Sequence, residues 1–311
     1  MTNRYLEVVD VWKRFDDKDV IRGVSFTVSK GETFVLMGPN GSGKTTLASI
    51  IAGVLRPNRG SVKIRGLDIV KEWTKSKENI SYLPQSPSVF PYLTGLENLM
   101  FYGRVYGIPK DEIKIKIPKL LRLVGLVGHE NKLVRDYSGG MQRKLEIATT
   151  LLSDSEILIL DEPTTGLDPV SRNEIRLLLS RFKKEEKTLI LVTHLAEDAE
   201  ALGDRLAFMV DGKIIAKGSP TELKSKCNNL SVLRIKTPII RNELYNELRR
   251  RSYKSLITKQ EYGYKIFVPI SRSDEVINSI RRLQDLDVSV VNEDMTLEDV
   301  FMILTERSLT N

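Results

Sequence analysis

The run Gly38-Pro39-Asn40-Gly41-Ser42-Gly43-Lys44-Thr45-Thr46 constrains this chain more than any other stretch. It lies between an apolar, strand-like segment, Thr33 to Met37, and a helix-like segment, Leu47 to Leu55. The spacing GxxxxGKT in that context predicts a phosphate-binding loop: glycines let the backbone wrap a polyphosphate, while successive N–H groups and the helix N-terminus point at the anion. Lys44 reaches the β- and γ-phosphates, and Thr45 offers a hydroxyl oxygen to Mg²⁺, a hard cation that prefers oxygen ligands. A plain glycine-rich turn would explain Gly41 and Gly43 but gives no reason for Lys44-Thr45 at the helix mouth.

Three further runs end in the same way. Ile80 to Leu83 finishes at Pro84-Gln85, Ile157 to Leu160 at Asp161-Glu162-Pro163, and Leu189 to Thr193 at His194. Continuous apolar strands of this kind point to a parallel sheet buried on both faces, where ligands sit beyond the carboxyl ends of the strands. Gly38, Gln85, Asp161 and His194 are then expected to meet around one phosphate. Asp161 holds Mg²⁺ opposite Thr45, and Glu162, one residue further on, orients and deprotonates the attacking water. His194 bonds the γ-phosphate or that water, and Gln85 touches both water and metal. Each polar strand end taken alone is unremarkable chemistry; the four together beside a phosphate loop are not.

The segments around these strands suggest a flanking sheet and an inserted helical part. Leu6 to Phe15, Val24 to Val28 and Ser61 to Ile64 are short, partly alternating and rich in β-branched and aromatic residues. Phe15 either stacks on a base at the rim of that sheet or is a half-buried sheet aromatic, and Trp12 is a weaker candidate for the stacking role. Between Gln85 and Asp161 the pattern is helical. Thr94 to Glu97 forms a capping box, followed by Leu99, Met100 and the aromatics Phe101, Tyr102 and Tyr106. With Phe90 and Tyr92 these rings are expected in a core, some of them rimming a groove for a partner's amphipathic helix. Tyr137-Ser138-Gly139-Gly140-Met141 then opens a helix, with Ser138 as cap and a second anion-binding end.

Length and composition set outer bounds. At 311 residues two domains are expected. The net charge of +7 could suit nucleotides, nucleic acid or anionic lipid, but Lys and Arg are scattered rather than blocked, so the charge alone decides nothing; no nucleic-acid partner is expected. A single cysteine, Cys227, excludes an intrachain disulfide framework and fits a reducing compartment. No apolar run approaches the roughly 20 residues of a membrane helix, so any membrane role is expected to come through a partner.

In order and spacing, the loop at Gly38 to Thr46, Gln85, Ser138-Gly139-Gly140, Asp161-Glu162, Gly166-Leu167-Asp168 and His194 resemble the nucleotide-binding subunit of an ATP-binding cassette (ABC) transporter, from about Leu6 to Glu222. Other phosphate-loop families share the loop and the acidic pair, but not the signature or the glutamine and histidine switches. The resemblance implies ATP and Mg²⁺, and an α/β P-loop NTPase cassette at residues 1–224. That cassette has a mixed sheet, a helical subdomain at about residues 86–155 and a flanking antiparallel β-subdomain. It further implies a dimer in which ATP on one protomer's loop is capped by Ser138, Gly139 and Gly140 of the other, with Asp168 among the nucleotide-side residues. Two departures stand out. Tyr137 and Met141 replace the ends of the usual Leu-Ser-Gly-Gly-Gln, so Met141 keeps the backbone anion site but not a side-chain hydrogen bond. Phe15 keeps the ring of the family's stacking tyrosine and loses its hydroxyl.

The tail, residues 230–311, reads as a small α+β domain. Strands at Ser231 to Lys236, Leu256 to Lys259, Tyr264 to Ile270 and Val288 to Val291 alternate with helices at Ile239 to Arg251 (Ile240, Leu244 and Leu248 inward) and Asp274 to Leu286 (Val276, Ile277, Ile280 and Leu283 inward). The order βαββαβ is ferredoxin-like. A terminal helix follows Thr296, and Leu297-Glu298-Asp299-Val300-Phe301 resembles the extension of ATPases serving the drug-exporter (ABC-2) type; importer extensions are expected to be β-barrel-like. The resemblance therefore implies an energy-coupling ATPase at the cytoplasmic face of the cell membrane, exporting a drug, lipid or polysaccharide through separate integral-membrane permease subunits beside a second nucleotide-binding subunit. An importer ATPase is the nearer rival. Soluble non-transport members acting on ribosomes would carry two cassettes, and DNA-repair members a long heptad coiled coil, and neither pattern occurs in this sequence.

Overall fold

The structure, a computed structural model, describes residues 4–237, 242–252, 256–260, 263–281 and 288–309. The chain divides into two units, Met1–Ser219 and Pro220–Asn311, and each closes a hydrophobic core of its own.

In the first unit, β1 (Arg4–Phe15) and β2 (Lys18–Ser29) pair antiparallel and bury roughly every second side chain, among them Leu6, Val8, Val24, Phe26 and Val28. That is the period of a sheet with one wet face. β3 (Thr33–Met37) is instead buried at every position and feeds the glycine-rich loop. The helix after it, α1 (Lys44–Ile51), begins earlier and ends earlier than the apolar pattern suggests, because Gly53 takes a left-handed φ of 72° just past its C-cap. β4 (Arg59–Ile64) and β5 (Leu67–Asp68) complete the first sheet, ordered β2-β1-β4-β5.

A short helix, α2 (Trp73–Ser76), leads to β6 (Ile80–Leu83). Three helices then interrupt the second sheet: α3 (Gly95–Val105), α4 (Lys110–Val124) and α5 (Gly139–Leu151). β7 (Ile157–Asp161), α6 (Pro169–Lys184), β8 (Thr188–Thr193), α7 (Ala196–Leu202), β9 (Arg205–Val210) and β10 (Lys213–Gly218) follow. The second sheet is ordered β10-β9-β3-β8-β7-β6, parallel from β9 to β6 and antiparallel at β10. β7 and β8, like β3, are buried throughout, as strands covered on both faces must be. Phe26 of the first sheet stacks on Phe34 of the second with ring centroids 4.6 Å apart, which locks the two layers above α1.

The capping box of α3 forms as expected, with Thr94 Oγ1 accepting from Glu97 N–H and the Glu97 carboxylate accepting from Thr94 N–H. The aromatic core does not. Phe90, Tyr92, Phe101 and Tyr106 are 42, 76, 42 and 44% exposed. α3 turns Gly95, Asn98, Leu99 and Gly103 inward, and Ile113 of α4 approaches so near that a Cβ on Gly103 would lie 2.7 Å from its Cδ1. That gap admits no ring. Phe90, Phe101, Tyr102 and Tyr106 pack on one another at the surface instead, with centroids 4.9 to 6.2 Å apart.

The second unit comprises α8 (Pro220–Ser225), β11 (Leu230–Lys236), α9 (Asn242–Arg251), β12 (Ile257–Gln260), β13 (Gly263–Pro269), α10 (Ser273–Arg281), β14 (Ser289–Glu293) and α11 (Leu297–Leu309). Its sheet runs β12-β13-β11-β14, antiparallel throughout, which is the ferredoxin-like order. Of the expected inward residues, Leu244, Leu248, Val276 and Ile280 join Tyr264, Ile266 and Val268 in one core; Ile240 and Leu283 lie outside the described residues. β13 alternates, so Lys265 points to the opposite face, where its ammonium meets the buried Asp299 carboxylate of α11 at 2.6 Å. Leu297, Val300 and Ile303 of the same helix are fully buried.

Because each unit encloses its own apolar set, a chain ended after Ser219 is expected to keep a single cooperative melting transition. Scanning calorimetry checks this, and a broad, non-cooperative trace would show that the cassette needs the tail.

Candidate active site

The cleft forms where β3, β6, β7 and β8 end. The loop after β3 is held by crowding: a Cβ on Gly38 would lie 2.1 Å from the Met209 carbonyl oxygen. Gly43, the N-cap of α1, has φ 97° and would press a Cβ to within 2.8 Å of the Val20 carbonyl. Only glycine fits either place. α1 has no side-chain cap and no acidic residue in its first turn, so its first N–H groups and dipole are left to an external anion. The Lys44 ammonium is buried and donates to the carbonyls of Gly38 and Pro39 at 2.8 and 2.9 Å. Burial lowers its pKa, and the nearby Glu162 and Asp161 carboxylates act the other way.

The resulting cleft, about 330 Å³, is lined by Val20, Asn40, Gly41, Gly43, Lys44, Thr45, Thr46, Gln85 and Glu162. Asp161 lies beneath it, fully buried, and burial raises its pKa while the Thr45 hydroxyl facing it lowers it. Asp161 Oδ1 and the buried Ser42 Oγ have no hydrogen-bond partner within the protein, and such atoms are costly unless a ligand completes them. Thr45, Gln85 and Asp161 present only oxygen donors plus one amide nitrogen, so the set fits Mg²⁺, which takes one or two protein carboxylates together with substrate phosphates and water. No cluster of three His, Cys, Asp or Glu side chains occurs among the described residues, and a phosphate-bridging cation needs none.

Glu162 is the strained member. Its φ is 49°, left-handed for a residue with a side chain, a conformation that costs on the order of 1–3 kcal/mol and persists only where the surroundings enforce it. Its N–H donates to the Val192 carbonyl at 2.9 Å. This places the carboxylate between the Thr165 hydroxyl, which donates at 2.5 Å, and His194 Nδ1, which lies 2.9 and 3.0 Å from the two oxygens. An ionised carboxylate only accepts, so Nδ1 carries the proton in this pair and Nε2 is the nitrogen left to accept.

The remaining expected residues lie elsewhere. Ser138 caps α5, its Oγ accepting from Met141 N–H at 3.2 Å, so the Met141 amide is spent on the cap. Ser138 and Gly139 are exposed, away from this chain's own cleft. Tyr137 is buried where the family has leucine, and its hydroxyl donates to the His129 carbonyl at 2.7 Å. Asp168 caps α6 through the N–H groups of Val170 and Ser171; hydrogen bonds from Ser171 and Val170 hold its carboxyl below the usual range. Phe15 is exposed at the β1–β2 turn with the Lys13 ammonium 5.0 Å from its ring centre, not half-buried. Trp12 donates to Asp10 and lies against Gly23, a framework role. Three residues were missed, one of them Thr165, three positions beyond Glu162, whose hydroxyl holds that carboxylate. Val20 enters the cleft from the other sheet, and no sequence signal marks it. Arg143 had one: a cation in register with the inward stripe Gly140, Ile147 of α5.

Lys44→Ala is expected to weaken ATP binding at least about 10-fold, since charge-assisted bonds to the phosphates are lost; equilibrium titration with labelled ATP reads this, and unchanged affinity would refute the loop assignment. Asp161 titrates higher in the folded chain than unfolded, so its contribution to stability is present below the ordinary carboxylate pKa and is lost as pH rises through the raised one. Nucleotide-free Asp161→Asn is therefore expected to melt above the parent near pH 7, the gain shrinking as pH falls into the ordinary carboxylate range. Melting curves across that range decide; a lower melting temperature at neutral pH contradicts it.

Residues 21–165 match a family model described as "ABC transporter". Over nearly its whole length the chain is similar to the linearmycin resistance ATP-binding protein LnrL of Bacillus subtilis, with 33% identity over 98% of this chain and 99% of the relative. It is also similar to the Nod factor export ATP-binding protein I of Rhizobium etli, with 34% identity over 98% and 94%. Among solved structures, cbiO1 from Clostridium perfringens, part of the ABC transporter complex cbiONQ, superposes with TM-score 0.66 at 26% identity over 80% of this chain and 96% of its own. A dimeric post-hydrolysis cassette, MJ0796 with ADP and Pi, does so at 0.63 and 26% over 69% and 98%. With a cleft shaped for a polyphosphate at the strand ends and full-length relatives of one kind, this chain belongs to the ATP-binding proteins of ABC transporters.

Proposed function

We propose that the chain hydrolyses ATP to drive export through separate membrane subunits, as the names of its linearmycin-resistance and Nod-factor-export relatives suggest. The observation that carries the catalytic reading is Glu162, held by His194, lining one cleft with Lys44 and Gln85. Lys44 and the backbone N–H groups of the loop from Asn40 to Thr46 bind the β- and γ-phosphates, with Phe15 as the base-stacking ring. Glu162 takes the proton of the attacking water while Thr165 and His194 hold the carboxylate in place. His194 Nε2 and Gln85 orient that water and the γ-phosphate. Mg²⁺, held through Thr45, Gln85 and Asp161, would neutralise charge on the phosphate oxygens.

A second copy or a paralogue completes the site. Ser138 and Gly139 are exposed and Gly140 is buried behind them against Ser171, a helix mouth that does not reach this chain's own cleft, and an anion from a facing protomer suits it; Leu167, next to Asp168, borders Gly139. The membrane subunit is assigned to the groove of about 610 Å³ lined by Trp73, Ile80, Tyr82, Tyr106, Ile108 and Leu152 among others, beside the exposed aromatic cluster. Its walls mix these apolar residues with Lys77, Glu78, Glu112 and Lys116, which suits an amphipathic helix offering both faces. No helix among the described residues is long and apolar enough to cross a membrane, and we assign that span to the partner, with this chain peripheral at the cytoplasmic face.

Glu162→Gln keeps size and reach but not basicity, so ATP should bind, hydrolysis should stall and the ATP-bridged dimer should accumulate. Sedimentation with ATP, with ADP, and with ATP plus Gly139→Asp reads this. A monomer with ATP, or turnover at the parent rate, contradicts the reading of Glu162; a dimer that survives Gly139→Asp contradicts the signature contact.

A further inference from the structure

Among the described residues, Arg143 is the one buried guanidinium beside the cleft whose five donors are all used, and they are spread over three separate segments. Its Nη2 donates to the carbonyls of Asp161 and Glu162 at 2.7 and 3.1 Å, and its Nε to that of Pro163 at 3.1 Å. Its Nη1 donates to the Pro84 carbonyl at 3.2 Å and to Glu146 Oε2 at 2.7 Å. Glu146, also buried, uses Oε1 to accept from Ser88 N–H at 2.9 Å. One side chain of the helix that starts at Ser138 therefore grips the backbone just before Gln85 and the three carbonyls around Glu162.

Those carbonyls frame the left-handed Glu162. A backbone in that region holds only if its peptide groups are fixed from outside, and the planar fork of arginine can bond several acceptors at fixed angles where a lysine cannot. We propose that Arg143 is a positioning residue for ATP hydrolysis: it sets the Glu162 backbone so that the carboxylate meets the attacking water, and ties that geometry to the Gln85 loop and the signature helix. The proposal rests on the reading of Glu162 as the base. Arg143 touches no reacting atom.

In Arg143→Lys the ammonium keeps the charge but cannot span the five acceptors. kcat is expected to fall about 10- to 100-fold through misplacement of the base, while the ATP dissociation constant, measured in the Glu162→Gln background, changes by less than about 2-fold because the phosphate loop is untouched. Arg143→Met combined with Glu146→Gln removes both charges at once and strands no buried ion; it is expected to show the same loss of kcat. Glu146→Gln alone leaves the guanidinium on its carbonyls and is expected to keep kcat within about 2-fold even if the melting temperature drops. Parent-level kcat in Arg143→Lys or in the double variant overturns the proposal. So do equal losses of kcat and ATP affinity, an equal loss in Glu146→Gln, or failure of both Arg143 variants to fold, each of which marks a framework role. Parent-level turnover in Glu162→Gln refutes the base itself, and a dead Glu162→Gln beside a fully active Arg143→Lys refutes only the role of Arg143.

Discussion

A polyphosphate brings more negative charge than one ammonium can offset, and the site we propose for it sets against that charge the open end of a helix. α1 carries neither a side-chain cap nor an acid in its first turn, so its N–H groups have no internal competitor for the anion. An array of that kind works only if it does not move, because a loop that must be ordered by the ligand weakens binding by the entropy of ordering it. The carbonyls of Met209 and Val20 wedge Gly38 and Gly43 in place, and the fully buried β3 anchors the loop's other end. The Lys44 ammonium is tethered to loop carbonyls in the same spirit.

That arrangement lowers stability locally. A buried carboxylate at Asp161, an unpartnered Ser42 hydroxyl and a left-handed Glu162 are each unfavourable in a folded chain. The surrounding sheet offsets them: the strands that carry Asp161 and His194 are buried at every position and sandwiched between helices, with Phe26 and Phe34 stacked between the two layers. The polar groups are concentrated at the ends of strands that are buried along their whole length. The helical insertion then joins this centre through Arg143 and Glu146 rather than through apolar contact alone.

The second unit uses the same device in a quieter setting. Asp299, in the Leu297 to Phe301 segment, bonds the N–H and hydroxyl of Thr296 and pairs with Lys265, so the start of α11 is capped and pinned to β13 at one point. A buried pair of this kind gains little in net stability over apolar residues but is severely disturbed when one partner goes. It gives the short motif a physical meaning: Leu297 and Val300 supply the buried face, and Asp299 ties the start of that helix to Lys265 of β13.

Much of the site was legible because its signals are local. The loop, the acid pair after four aliphatics, Gln85 and His194 each sit at a strand end, where covalent neighbours alone dictate which way the chain turns. The βαββαβ order was likewise written in residue spacing. The aromatic residues of α3 misled, since a helical pattern marks which side chains are apolar but not whether the facing helix leaves room; Ile113 against Gly103 filled the space they were expected to occupy. Val20 was invisible because it reaches the cleft from a sheet paired in space, not in sequence. The glycine-rich loop, the strand ends and the apolar pattern of each part could be read from the residues alone, because all are set by interactions within a few residues. Only the tertiary structure decided the left-handed Glu162, its hold on His194 and the grip of Arg143, because those depend on backbone carbonyls brought together from segments far apart in the chain.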